Sequence, residues 1–348
     1  MARLLSPRRG RDIHDCSRTR SPDIDIFIPS STGEYMATTI DETRVPDRFE
    51  GATLLLPDQT RSHRIGFACV VFTALGWGLN WPATKFLLTE CPPLSARGVA
   101  GLAAGLMLFG ISLVRGETLA VPRHLWGRLA VAALLNVSAW MGFTTASLLW
   151  LPAGQAVTLA YTMPVWAALL AWPMLGDRPT PRRIAAIVLG IGGVVTLVGG
   201  AGLNLDAARR PGIALALSAA SLFAFGTVLS KRMPIPLPRV ALTAWQVIIG
   251  CIPLLLGGLV FEEAHFGALP LIGWFALGYT ALVSMGICYL LWFAAVRRLK
   301  PSSAAIGTLL TPVIGVAASS LALGDALTLR QIVSLALVMA GIIFANED

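Results

Sequence analysis

The sequence predicts an all-α integral membrane protein with ten transmembrane helices, arranged as two inverted five-helix repeats. Three observations predict it. The composition is too apolar for a soluble domain, the chain divides into charge-free runs of membrane-spanning length, and one passage recurs 148 residues downstream. Of 348 residues, 55% are hydrophobic and only 13% charged, and mean hydropathy is +0.70. Soluble domains carry about 25% charged residues. Residues 1–64 balance 10 Lys/Arg against 10 Asp/Glu, so the formal charge of +8 belongs to the apolar remainder. There it lies between apolar runs, which is a mark of membrane topology and not of nucleic-acid binding.

The tail at 1–64 has no sustained periodicity and no apolar stretch of signal-peptide length, its best being IFIP at 26–29. It reads as a cytoplasmic, mostly disordered segment, and Met36 is an alternative start. After Arg64 the charge-free runs are 65–84, 98–114, 129–176, 184–205, 211–230, 240–261, 266–296, 301–324 and 331–346. A bilayer core about 30 Å thick takes about 20 helical residues, so eight of these runs supply one span each. The run 129–176 is too long for one crossing, because about 1.5 Å per residue carries it more than two bilayers' thickness. It turns at Trp150-Leu151-Pro152-Ala153-Gly154 and gives two spans. Uniformly apolar runs do not alternate, which excludes a β-barrel.

Loop charges set the orientation. Numbering the spans 1 to 10, the even–odd loops carry twelve Lys/Arg, and the odd–even loops with the end of span 1 carry five, among them Lys85 and Arg97. The positive-inside bias puts the first set and both termini in the cytoplasm.

The passage LAYTMPVWAALLAWPMLGD at 159–177 returns as GTLLTPVIGVAASSLALGD at 307–325. In register without a gap, Pro164, Gly176, Asp177, Thr180, Arg182 and Gly193 recur as Pro312, Gly324, Asp325, Thr328, Arg330 and Gly341. Gly78 and Gly226 match at the same offset. The unit is therefore five spans, 65–205 and 206–348. Five is odd, so the second copy enters the membrane from the opposite side, the pattern of an alternating-access transporter whose substrate site lies where the halves meet. LPAGQAVTLAYTMPVWAALLAWPMLGD and KPSSAAIGTLLTPVIGVAASSLALGD, each with its following helix, resemble the fourth–fifth and ninth–tenth helices of the EamA family of the drug/metabolite transporter superfamily. LGWGLNWPATK in span 1 is similar to that family's opening motif, with Leu79 where Ser is common. The resemblance covers about 65–345 and implies transport, often efflux, of amino acids or other small metabolites.

Candidate site residues are the polar and aromatic groups inside the spans. Asn136, Trp140 and Thr144 share one face of span 3, and the offset leads to Ser284, Cys288 and Trp292 on span 8, extended by Thr280. Their two readings are a shared cavity and hydrogen bonds between helices. Thr158, Tyr161 and Thr162 precede Pro164 in span 4, and Thr308 and Thr311 flank the approach to Pro312 in span 9. Each proline frees a carbonyl, either as a substrate contact in a rocking helix or as a packing kink. Spans 1 and 6 add Asn80 and Ser221, with Trp77 and Phe225 as possible walls. Gly176 and Gly324 read as helix C-caps. Asp177 and Asp325 read as caps of the following helices, near Thr180 and Thr328, or as gating groups beside Arg182 and Arg330. Gly98, Gly101 and Gly105, with Gly190, Gly192 and Gly193, allow close helix approach within one chain, consistent with a monomer or weak homodimer.

No Asp, Glu or His lies inside a span, which suits a neutral or zwitterionic small molecule. The five cysteines form no CxxC pair and the four histidines lie outside the apolar runs, so neither metal nor cofactor is expected. Motifs of intramembrane enzymes and a P-loop are missing. The function expected is secondary transport in a bacterial inner (plasma) membrane with no nucleic-acid partner, and the alternative is a channel or non-transporting scaffold.

Overall fold

A computed structural model describes residues 26–29, 35–38, 57–178, 180–199 and 207–346. Of the tail it describes a short antiparallel pair, Ile26–Pro29 with Tyr35–Thr38, in which Ile26 faces Thr38. The disorder expected for most of residues 1–64 lies outside the described residues, apart from this pair and from residues 57–64, which are helical.

The rest is helical. The helices are α1 (Pro57–Leu87), α2 (Pro93–Val114), α3 (Arg123–Ser147), α4 (Ala153–Leu175), α5 (Pro181–Val198), α6 (Arg210–Arg232), α7 (Arg239–Phe261) and α8 (Leu271–Val296). They continue with α9 (Pro301–Thr308), α10 (Leu310–Leu323) and α11 (Leu329–Asn346). Among the described residues, α1 through α8 are long and apolar enough to cross a membrane, and α10 and α11 are shorter apolar helices. The predicted turn after Trp150 separates α3 from α4. Helix α1 starts at Pro57, upstream of its apolar run, at a residue whose missing N–H suits a first helical turn. Large apolar side chains point away from the protein along the bundle, with Leu321 88% and Phe261 83% exposed. Such a surface is stable against lipid and not against water. The chain is a multi-pass membrane protein.

The 148-residue offset survives into local geometry. Helix α4 is interrupted at Tyr161–Thr162 and the ninth segment at Leu309, in each case just before the repeated proline. Gly176 and Gly324 close α4 and α10 with φ of 78° and 71°, the left-handed conformation that favours glycine. Helix α3 relaxes into a π-helical stretch at Leu134–Ala139 and α8 does so at Tyr279–Ile287.

Packing follows an exchange rule. Helix α1 packs on α8 and α10, and its counterpart α6 packs on α3 and α4. Helix α2 packs on its own counterpart α7, and α5 on α11. The counterparts run antiparallel. A Cβ on Gly193 would meet Val338 at 2.7 Å, whereas one on Gly341 would meet the Ala186 carbonyl at 2.9 Å, so numbers rise along α5 as they fall along α11. In the same way Gly98 lies against Leu255, Gly101 against Cys251 and Gly105 against Ile248. Gly192 meets nothing within 4 Å and plays no part in this approach. The α2–α7 pair is capped reciprocally. Glu262, just after α7, accepts from the Leu94 and Ser95 amides (3.0 and 2.8 Å) and from Ser95 Oγ (2.8 Å) at the start of α2. Glu117, just after α2, accepts from the Ala241 amide near the start of α7 (3.3 Å) and from Ser112 Oγ (3.1 Å). A carboxylate at a helix N-terminus satisfies open amides and the dipole together.

Candidate functional site

Each predicted stripe packs on the first helix of the other half. On α8, Thr280 donates to Asn80 Oδ1 (3.1 Å), the Ser284 carbonyl accepts from Trp77 Nε1 (2.9 Å), and the Cys288 carbonyl accepts from Thr73 Oγ1 (3.4 Å). The Trp292 ring lies 6.1 Å from that of Trp77. Most of this stripe joins α8 to α1. On α3, Trp140 packs on Phe223 of α6 with ring centroids 4.9 Å apart. Phe223 is therefore the aromatic wall, and the expected Phe225 is 36% exposed on another side of α6.

Several hydroxyls expected to meet substrate return to their own helices instead. Thr144 donates to the Trp140 carbonyl (2.6 Å), Thr158 to Gly154 (2.8 Å), Thr162 to Leu159 (2.6 Å) and Ser221 to Ser218 (3.1 Å). Thr308 is half-buried at the end of α9. The two breaks come together through Tyr161 and Thr311, both buried. The Tyr161 hydroxyl lies against that of Thr311, which among the described residues has no hydrogen bond of good geometry. Pro164 and Pro312 each sit in the first turn after a break, where their lost donors would have bonded Ala160 and Thr308.

A cavity of 260 Å³ lies between α3, α6, α7 and α8, lined among others by Asn136, Phe223, Thr227, Gln246 and Tyr289. It shares Thr227, Ser230 and Gln246 with a wider recess of 620 Å³ that reaches Arg128, Lys231 and Arg239. Among the described residues, Asn136 Oδ1 is buried without a hydrogen-bond partner. A buried acceptor left unpaired costs about 1–3 kcal/mol. Gly226 makes room for it, since a Cβ at that position would stand 2.2 Å from Asn136 Oδ1. The cavity thus offers hydroxyls, the Gln246 amide and two aromatic faces, and the unpaired Asn136 oxygen lies packed on Gly226 beside it. A second depression of 410 Å³ is almost wholly apolar. Its one polar side chain, Ser138, already donates to the Gly250 carbonyl (2.5 Å), so it offers a solute no directional contact.

Of the lining, the sequence reading found Asn136 and missed Phe223, Thr227, Ser230, Thr243, Gln246 and Tyr289. Phe223, Thr227 and Ser230 stand at i, i+4 and i+7, a helical stripe, and Gln246 is the lone glutamine in its apolar run. Those signals were present.

The opposite end is tied shut by charged groups. Lys85 Nζ donates to the carbonyls of Leu148 and, at 3.2 Å, Leu151 at the end of α3, while Asp325 accepts from the Gly154 amide at the start of α4 (3.4 Å). The expectation that the aspartates cap α5 and α11 is corrected. Thr180 and Thr328 take that role, their hydroxyls accepting from Arg183 and Gln331 amides at 3.3 and 3.2 Å. Asp177 and Asp325 lie three residues too early. Cys91, between α1 and α2, is buried against Leu87, Leu269, Leu277 and Ala281. Burial pushes its thiol up to about 11, and the charge of Glu262 adds to the rise.

Arg97 is the largest departure from the sequence reading. Counted there as a loop charge, it lies within α2 at 8% exposure. Its Nε donates to Thr145 Oγ1 (2.6 Å) and its Nη2 to Thr84 Oγ1 (3.2 Å).

With this geometry in hand, the chain was compared with known proteins. The profile of the EamA-like transporter family matches residues 64–199 and again 210–346. An uncharacterized transporter of Bacillus subtilis (strain 168), YvbV, is 31% identical over 80% of this chain and 90% of its own. A probable amino-acid metabolite efflux pump of Salmonella typhimurium is 28% identical over 81% and 94%. The uncharacterized inner membrane transporter YedA of Escherichia coli (strain K12) is 24% identical over 78% and 87%. A protein of known crystal structure superposes with a TM-score of 0.59 over 82% of this chain and 98% of that one, at 21% identity, and so shares the fold.

Proposed function

Because the chain belongs to the EamA-like transporter family, we propose that it is a secondary carrier exporting small neutral or zwitterionic metabolites such as amino acids by alternating access. The observation that carries this reading is the 260 Å³ cavity beside the unpaired Asn136 oxygen, which shares Thr227, Ser230 and Gln246 with the recess at Arg128, Lys231 and Arg239. The Lys85, Asp325 and Glu262 contacts tie the far end. A cavity open toward one side and tied at the other is the arrangement a carrier needs. The Salmonella relative, named as a probable amino-acid metabolite efflux pump, supports efflux and an amino-acid-like solute.

In this reading α9 and α10 together make one span and α11 another, which brings the total to ten. The repeats run over 65–205 and 206–348, preceded by a cytoplasmic tail at 1–64. The membrane is the bacterial inner membrane, as named for YedA. The bias of twelve Lys/Arg against five between the two sets of span ends favours cytoplasmic termini. Substrate contacts fall to Asn136, Trp140, Tyr161, Trp292 and Thr311 together with Phe223, Thr227, Ser230, Gln246 and Tyr289, while Thr280 and Ser284 mainly hold α8 to α1.

The test is counterflow in proteoliposomes with pooled radiolabelled amino acids. Saturable uptake that requires both the protein and internal unlabelled solute is the expected result. Uptake that neither saturates nor depends on internal solute contradicts the carrier and favours a channel.

A further inference from the structure

We propose that Arg97 is the anion-recognising group of the transport cycle, pairing with the carboxylate of a zwitterionic substrate, so that the chain selects carboxylate-bearing solutes over their amides and amines. The proposal rests on the carrier reading and names what that carrier discriminates. Arg97 is a buried cation inside a membrane-spanning helix, a placement that is costly and marks functional positions in membrane proteins. Its hydrogen-bond partners, Thr84 and Thr145, are neutral hydroxyls from α1 and α3. They engage two of the five N–H donors of the guanidinium and hold the fork in place without neutralising it. Among the described residues no carboxylate forms an ion pair with Arg97. Glu262 caps the same end of α2 through Leu94 and Ser95. Cys251 and Tyr289, both ordinarily uncharged at neutral pH, lie within electrostatic range of it.

Two further observations connect this charge to transport. Tyr289 also lines the 260 Å³ cavity, so the field of Arg97 reaches that cavity's wall. The repeat offset places Trp245 at the corresponding position of α7. Trp245 donates from Nε1 to the Leu119 carbonyl (3.0 Å) and packs edge-on to Phe109 and Trp126. The residue 148 positions on thus carries no charge, and it faces α2 and α3 and not α6 and α8, the counterparts of the helices that Arg97 binds. A cation on one side alone gives the pathway a polarity. The carboxylate of a zwitterion would be drawn toward α2.

The experiment compares counterflow of a labelled L-amino-acid pool with that of the matching carboxamide pool, in wild type, Arg97→Gln and Arg97→Lys. Half-saturation concentrations are read because they do not scale with the amount of folded protein. Loss of a charge-assisted contact predicts that Arg97→Gln raises this value for the acids roughly ten- to a hundredfold and leaves the carboxamides unchanged. Arg97→Lys, which keeps the charge without the planar fork, should fall between, and it carries the test should the glutamine variant not fold. An equal shift for both pools, or no shift in either, overturns the proposal and makes Arg97 a tether between α1, α2 and α3. Absence of counterflow in wild type would instead sink the carrier reading on which the proposal stands.

Discussion

Asn136 and Gly226 make the sharpest claim about single residues. The amide oxygen can stay open only while position 226 carries no Cβ, because that atom would lie 2.2 Å away. In Gly226→Ala the asparagine must turn aside or α3 must move away from α6. Alanine is otherwise a better helix former than glycine by about 1 kcal/mol, so the variant should insert and fold while transport falls at least about tenfold, a loss worth about 1.4 kcal/mol of transition-state stabilisation. Initial rates per folded carrier check this, and rates equal to wild type would remove Asn136 from the pathway. Residues are also where the sequence was hardest to read. Arg97 looked like a loop charge because a linear chain shows no burial. Phe223 and Phe225 differ by two positions, and only the packing of α6 on α3 shows which ring meets Trp140. The hydroxyls of Thr144, Thr158 and Thr162 looked available because composition does not reveal that each bonds a carbonyl three or four residues back.

Helices were legible earlier and more fully. Charge-free length marks most of them, and the repeated proline and Gly-Asp mark where α4 and α10 break and stop. The π-helical stretches in α3 and α8 left no such signal. Both fall where these helices pack across the halves on α6 and α1, which is a tertiary cause. Reciprocal caps likewise pair groups distant in sequence, 167 positions apart for Ser95 and Glu262. Glu262 makes three hydrogen bonds at the start of α2, whereas Glu117 makes one near the start of α7 and one to Ser112 at the end of α2. Glu262→Gln removes a charge from a helix N-terminus and one of two carboxylate acceptors, and should cost about 1 kcal/mol. Its melting temperature in detergent should fall further than that of Glu117→Gln, whose bonds are fewer and longer. The reverse order would show that the caps do not carry the α2–α7 contact.

Across the whole molecule, an offset visible in about forty-five residues expands into an architecture. Exchanging the halves maps each major helix contact onto another, and α2–α7 and α5–α11 onto themselves. Such symmetry allows two conformations related by the exchange, with opposite ends open. The conformation described here has the Lys85–Asp325–Glu262 end tied, and Cys91 reports on it. With its thiol held at about 11, roughly one in a thousand is ionised at pH 8. Opening that end hydrates the thiol and returns it toward its ordinary value near 8.5, where about a quarter is ionised. Reaction with a maleimide should then quicken both through access and through ionisation.

The most direct measurement is the reciprocal labelling of Cys91 and of a cysteine introduced by Thr227→Cys in the cavity wall, with Cys16 and Cys69 changed to serine. It is followed in membranes with and without a saturating amino-acid pool. Alternating access predicts opposite changes, one site labelling faster as the other slows, with the direction set by the side on which the pool is supplied. Simultaneous acceleration at both sites would mean a continuous pore, and that result would contradict a carrier.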